Sequence, residues 1–155
     1  MAPEFSRPLR VTAIPPAGYQ VDVTANAGER RALARRFELP SLAALSCTFA
    51  LSRRAGARQA GAREAGAITR AAGHLLARLT QLCRVTLEEF PTDVEERFVV
   101  LFVPGGSESA SFDPAAPDEI PYTDGMIDLG EAAAEQLALA LDPWPRKPDP
   151  ASEPS

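Results

Sequence analysis

MIDLGEAAAEQLALALDPWPRKP, residues 126–148, is the best-defined stretch of the chain, and what it must be covering decides the fold. Asp128 stands where it can cap a first helical turn, and Glu131, three residues on, completes a capping-box spacing. On a helical wheel Leu129, Ala133, Leu137 and Leu141 fall in one line, flanked by Ala132, Gln136, Leu139 and Ala140. Glu131, Glu135 and Asp142 keep only the narrow opposite side, so the helix is expected to be buried over most of its circumference and to close a hydrophobic core. Pro143 stops it, because proline disfavours helix at the residue before it and has no N–H to donate. Trp144, Pro145, Arg146, Lys147 and Pro148 then run extended; Trp144, Arg146 and Lys147 are candidates for contact with a partner.

The strands such a helix would cover lie upstream. Residues 94–103 read as the strongest, with Phe98, Val100 and Phe102 on one side and Val99, Leu101 and Val103 on the other. Being apolar on both faces, FVVLFV is expected at the centre of a sheet. Residues 42–53 place Leu45, Cys47, Phe49 and Leu51 on one face and Ser46, Thr48 and Ser52 on the other. Residues 68–80 form a strand in pieces, with Leu76 breaking the alternation, and are expected to pair antiparallel with 42–53. Cys83, Val85 and Leu87 carry the alternation on towards Pro91. Near the amino terminus, 9–14 and 19–24 are shorter strands separated by Pro15-Pro16 and the turn Ala17-Gly18, and 120–122 is a further short strand.

Asn26 with Glu29 repeats the capping-box spacing and opens a helix through about Phe37. Leu33 and Phe37 face inward, which leaves Arg30, Arg31, Arg35 and Arg36 as a basic outer side. The expected fold class is α+β: a curved antiparallel sheet of about five or six strands with an N-terminal and a C-terminal helix packed on it, a barrel-like closure being left open. One domain is expected over residues 5–148. Within it RAGARQAGAREAG, 54–66, reads as a mobile basic loop, since Gly56, Gly61 and Gly66 are evenly spaced, and 104–119 as a disordered acidic loop. Residues 149–155 read as a disordered tail.

The net charge of −5 hides a division. Residues 1–84 carry thirteen arginines against five carboxylates; residues 85–155 carry three cations against sixteen carboxylates. Such asymmetry points to nucleic-acid contact or to an acidic binding half, unless the two halves interleave and neutralise each other. The basic candidates are Arg30, Arg31, Arg35 and Arg36 on the helix and Arg53, Arg54, Arg58 and Arg63 in and before the loop. Such residues would grip phosphates without reading bases, and the loop has no aromatic side chain for base stacking.

Catalytic patterns are missing. His74 is the only histidine, sits in mid-strand and has no nucleophile at triad-like spacing. Gly105-Gly106 follows a strand but opens no phosphate loop, and the acids Asp118, Glu119, Asp124 and Asp128 do not have calcium-loop spacing. Cys47 and Cys83 are expected as buried free thiols, and two cysteines with one histidine do not furnish a tetrahedral zinc site. No catalytic residue, metal, cofactor or small-molecule substrate is therefore expected. No apolar run reaches membrane-spanning length and MAPEFSRPLR has no apolar signal core, so a cytoplasmic location without membrane contact is expected.

Two stretches carry a resemblance. DGMIDLGEAAAEQLALALDPWPRKP is similar to the carboxy-terminal signature of the YceD family of bacterial proteins, in its alphaproteobacterial form. HLLARLTQLCRVTLEEF, ending at Phe90, resembles that family's central segment around a cysteine and a T-L-E-P-F-like run. The two keep the family's order, and the resemblance extends from Phe5 to Pro148. It implies a role in accumulation of large-subunit ribosomal RNA through ribosome assembly. The expectation is then a non-enzymatic assembly factor that binds precursor rRNA, a ribosomal protein, or both. A rival expectation is an interaction module whose acidic half, from Glu88 to Asp128, holds a basic ribosomal protein without touching RNA. Many members of the family have C-x-x-C where this chain reads Cys83-Arg84-Val85-Thr86; with Thr86 in the second place, metal chemistry at this point is in doubt.

Overall fold

The structure is a computed structural model that describes residues 4–54, 68–106 and 116–148. Its strands are β1 (Pro8–Arg10), β2 (Tyr19–Thr24), β3 (Ser41–Arg54), β4 (Ile68–Leu82), β5 (Glu89–Pro104), β6 (Asp118–Tyr122) and β7 (Met126–Asp128); its helices are α1 (Ala27–Arg36) and α2 (Leu129–Ala140). The strands β2 to β5 follow one another as an antiparallel meander and β6 joins β5 in parallel, so the five-stranded sheet runs β2-β3-β4-β5-β6. β1 and β7 form a separate antiparallel pair.

Alternation with a period of two makes the meander. Its register puts Val23, Cys47 and Leu75 side by side on the buried face, and Phe49, Gly73 and Phe98 in the next row but one. The Phe98 ring lies on Gly73, where any Cβ would collide with it, and meets Phe49 edge-on with centroids 5.9 Å apart. Both helices cover this face, α1 against β3 and α2 against β4, β5 and β1. Phe5, Leu33, Leu45, Leu79, Phe102, Ile127, Leu129 and Leu137 join one buried cluster, each large side chain contributing about 1.5–3 kcal/mol of transfer free energy. At Gly130 the first turn of α2 touches bare backbone: a Cβ there would stand 2.7 Å from the Phe5 carbonyl oxygen.

The capping signals hold. Asn26 and Glu29 form a complete capping box at α1, and Asp128 caps α2 by accepting from the Glu131 N–H at 3.1 Å. The second half of the box expected at α2 is not made, because the Glu131 carboxylate turns to Arg36 instead. The burial of α2 is narrower than its composition suggests. Leu139 is 71 % exposed, since two residues beyond Leu137 the helix has turned about 200°.

Several expected strands are differently built. Residues 9–14 are not one strand: β1 ends at Arg10 and Val11–Ala13 form a 3-10 turn. Val11 and Ile14 are buried while Thr12 and Ala13 are exposed, the three-residue period of that turn. The strand expected in pieces at 68–80 is continuous through Leu82 and pairs with β3 as expected. Cys83–Leu87 are a tight turn, not strand, because Leu87 N–H bonds Cys83 C=O at 2.9 Å and Cys83 N–H bonds Glu88 C=O at 2.8 Å. The central strand is β4; β5 has a second neighbour only opposite Val100–Pro104. The sheet is not wholly antiparallel, since the chain returns after Pro104 to run alongside β5 again, and it is open, since its edge strands β2 and β6 do not pair. A parallel neighbour and an unclosed edge depend on how a connection travels, which no local pattern encodes.

Most of the expected mobile loop, from residue 55 on, lies outside the described residues, as do residues 107–115 of the expected acidic loop and the tail from 149. Arg54 belongs to β3, Pro104 to β5, and Asp118 and Glu119 to β6. Among the described residues no helix is long and apolar enough to cross a membrane.

Candidate functional site

The four arginines of α1 divide into two pairs. The Asn26 cap and the inward Leu33 fix the rotation of the helix. Arg36, which turns towards α2, holds Glu4 at 2.9 Å and Glu131 at 3.1 Å and lies over the Phe37 ring. Burial opposes its charge, but the hydrogen bonds to Glu131 and Glu4 outweigh that and raise its pKa. Arg30 folds back to the Ala25 carbonyl at 2.8 Å. Arg31 and Arg35, one turn apart, are exposed and have no carboxylate partner among the described residues. They stand about 160–200° round the helix from Leu33, so they face away from the sheet.

The cap is itself buttressed by an arginine the sequence did not single out. Arg7 grips both carboxylate oxygens of Glu29 at 2.7 and 2.8 Å, bonds the carbonyls of Ser6 and Thr24, and lies over the Phe5 ring. The Arg7 hydrogen bond holds the Glu29 carboxyl below its ordinary range, and Glu29 in turn raises the Arg7 pKa. Nothing local could reveal this: the partners are 22 residues apart in the chain.

The other basic candidates are elsewhere. Arg53 is exposed at the far end of β3, and Arg54 follows it in the strand; Arg58 and Arg63 lie outside the described residues. Helix α1 departs from β2 beside Ser46, so Arg53 is seven strand residues away, roughly 23 Å. Arg53 is thus not gathered into one patch with the arginines of α1.

Charge is nevertheless segregated. Because the sheet is laid out in chain order, the arginine-rich β3, β4 and α1 precede the acidic β5, β6 and α2 across the molecule. The halves meet along seams: His74–Glu95 at 2.6 Å and Arg78–Asp93 at 3.3 Å between β4 and β5, and Arg36–Glu131 between the helices. His74 therefore pairs with a carboxylate on the open sheet face. Between β6 and α2 an open groove of about 410 Å³ is lined by Ile120, Met126 and Ala132, with Glu131 and Glu135 beside them. Burial, then the charge of Glu131, raises the Glu135 carboxyl.

The carboxy-terminal candidates form a strap across the β4–β5 turn. Arg84 N–H bonds the Pro145 carbonyl at 2.9 Å, the Arg84 guanidinium lies 5.3 Å from the Trp144 ring centre, and Lys147 reaches Glu88 at 3.9 Å. Arg146 is exposed. Sequence reasoning missed the company Trp144 keeps: Val85 and Leu87, 64 % and 69 % exposed, stand on the same turn, with Trp144 itself 62 % exposed. The only hint was a pair of large apolar residues flanking Thr86 outside any clear strand pattern.

Beneath the strap, Cys83 Sγ accepts from the Thr86 N–H at 3.4 Å. The backbone N–H of Lys147 and then the Thr86 side chain pull its thiol down to about 6, outweighing its burial. Cys47, inside the core, is pushed up to about 12 by burial. Both cysteines are buried and free, as expected. Among the described residues no three His, Cys, Asp or Glu side chains gather as metal ligands.

A family model described as "Large ribosomal RNA subunit accumulation protein YceD" matches residues 71–155, more than half of the chain. That span holds the β4–β5 hairpin except the first three residues of β4, then β6, β7, α2 and the strap, and excludes α1. No curated protein and no solved structure matches.

Proposed function

Given that this chain belongs to the YceD family, we propose that it supports accumulation of large-subunit ribosomal RNA as a non-enzymatic assembly factor that binds precursor rRNA. The observation that carries the RNA contact is the pair Arg31 and Arg35, exposed and facing away from the sheet with no carboxylate partner among the described residues. Two guanidinium groups one helical turn apart can each take a backbone phosphate and release a counterion, which positions RNA without reading its sequence. The test is affinity purification of the tagged protein at low salt with its RNA identified. Arg31→Gln/Arg35→Gln is expected to lower retention of precursor rRNA and to flatten the salt dependence by about 1.4–1.8 in log–log slope. Unchanged retention by a folded variant overturns the assignment.

A second reading is favoured by the exposed carboxylates of β5, Glu89, Asp93, Glu95 and Glu96. In it the acidic half holds a basic ribosomal protein and makes no RNA contact. Retention of such a protein after nuclease treatment, with no enrichment of precursor rRNA, would select it over the first.

A further inference from the structure

β5 is sixteen residues long, and only its last five have β6 beside them. From Glu89 to Val99 its far side meets no strand among the described residues. Two observations tell which backbone groups face that side. Gly105 N–H donates to the Tyr122 carbonyl on the β6 side at 2.8 Å. The β4–β5 register is unbroken from Leu82↔Glu89 to Thr69↔Phe102, so alternate residues back from Gly105 share its direction. Pro91, which has no N–H to give to β4, falls on the same alternation. The amides of Asp93, Glu95, Arg97 and Val99 are therefore turned outward as a ladder that pairs with no strand among the described residues.

The side chains along this ladder have one dominant sign. Glu88, Glu89, Asp93, Glu95 and Glu96 stand against Arg97 alone. Asp93 and Glu95 stay 77 % and 60 % exposed even while paired with Arg78 and His74 across β4. We propose that this edge accepts an extended lysine- or arginine-rich segment of a partner protein as an added strand. Backbone hydrogen bonds would supply the pairing, and cross-strand carboxylate–cation contacts the selectivity. The same carboxylates turn away other occupants. A second copy of this edge would set like charges opposite each other, and RNA phosphates would be repelled. The chain's own residues 149–155, DPASEPS, carry two carboxylates and two prolines and make a poor strand here. The proposal rests on the second reading above, whose acidic half it narrows to one edge and one mode of binding.

The test titrates the full chain with a labelled, amidated peptide of alternating lysine and valine, about eight residues long. Backbone amide exchange is followed at the same time. Binding is expected, with new protection at Asp93, Glu95, Arg97 and Val99. Methylating alternate peptide nitrogens should weaken it at least about tenfold, and glutamate in place of lysine should abolish it. Glu95→Pro, compared with Glu95→Gln to discount the lost carboxylate, removes one outward N–H in the way Pro91 already does, and should weaken binding about tenfold further while leaving the β4–β5 ladder protected. Should that variant fail to fold, the methylated peptide carries the decision. Equal binding of the methylated peptide, protection elsewhere, or protection of these four amides by an RNA oligonucleotide overturns the proposal. If a nuclease-resistant basic ribosomal protein co-purifies while the peptide leaves β5 unprotected, the edge is overturned and the second reading stands. If the peptide docks on β5 and no basic protein co-purifies, the edge is upheld and that reading falls.

Discussion

Arg36 and Arg31 are the same residue type on the same helix, yet they are placed for opposite work. Arg36 joins the amino-terminal segment, α1 and α2 through Glu4 and Glu131, with about a third of its side chain exposed. Partly exposed ion pairs of this kind are worth roughly 0.2–1 kcal/mol each, so Arg36→Gln is expected to destabilise by about 1 kcal/mol in a urea titration. Arg31→Gln should shift the same titration by less than about 0.5 kcal/mol, because no carboxylate partner among the described residues is lost. A destabilisation by Arg31→Gln equal to that of Arg36→Gln would mean that Arg31 also has a structural partner. The two cysteines are opposed in a similar way. In Cys83 the folded thiol is lowered from 9.0 to about 6, so ionisation favours the folded state. That contribution is complete above pH 9 and is lost as pH falls through 6. Cys47, raised to about 12, contributes fully below pH 9 and loses its contribution as pH rises towards 12. The stability deficit of Cys83→Ser relative to the native chain should therefore grow between pH 6 and pH 9. Thiolate absorbance, as the difference between the two proteins, should titrate near the lower value, and a midpoint close to 9 would show that the Lys147 and Thr86 donors do not act on the sulfur.

At the scale of elements, the β4–β5 turn holds a conformational cost in plain view. Leu87 sits at φ 61°, a left-handed conformation that costs a leucine about 1–2 kcal/mol, and its side chain is 69 % exposed, so little burial repays it. Leu87→Gly is expected to stabilise the protein by roughly 0.5–1 kcal/mol, read as a rise in thermal midpoint. If Leu87, Val85 and Trp144 form a contact surface, the same variant should weaken retention of the bound partner although the fold is firmer. Destabilisation would show instead that Leu87 packs under the strap. This turn also marks where the sequence stops being readable. Cys83, Val85 and Leu87 alternate like strand residues, but the reversal is set by bonds to Glu88 and by a strap sixty residues further on. Elements whose signal is local were legible: the Asn26–Glu29 box, the Asp128 cap, and the long alternations of β3 and β5. Elements whose state depends on a distant partner were not: the 3-10 turn at Val11–Ala13, the parallel β6, and the open edge of β5. The candidate site followed the same rule. A row of four arginines on α1 could be read directly, but which of them were free depended on carboxylates 32 and 95 residues away.

At the scale of the whole molecule, a sheet laid down in chain order preserves the charge division among the described residues instead of mixing it. Arg31 and Arg35 look away from the sheet above β3, whereas the β5 edge looks sideways two strands further on, about 10 Å across. If both proposals hold, two ligands of opposite charge have separate places to bind, and at physiological salt the screening length of about 8 Å would keep them largely independent. The expected outcome is that a saturating lysine–valine peptide changes the affinity for precursor rRNA by less than about twofold at that salt, and slightly in the favourable direction at low salt, where the peptide's charge offsets the acidic half. Retention of labelled RNA on the immobilised protein, with and without peptide, measures it. Displacement of RNA by the peptide would mean that the RNA lies along the acidic side after all, or that the peptide captures the RNA; retention by Arg31→Gln/Arg35→Gln without peptide separates the two, since RNA lying along the acidic side is held whether or not those arginines are present, whereas RNA lost by capture had been held by them.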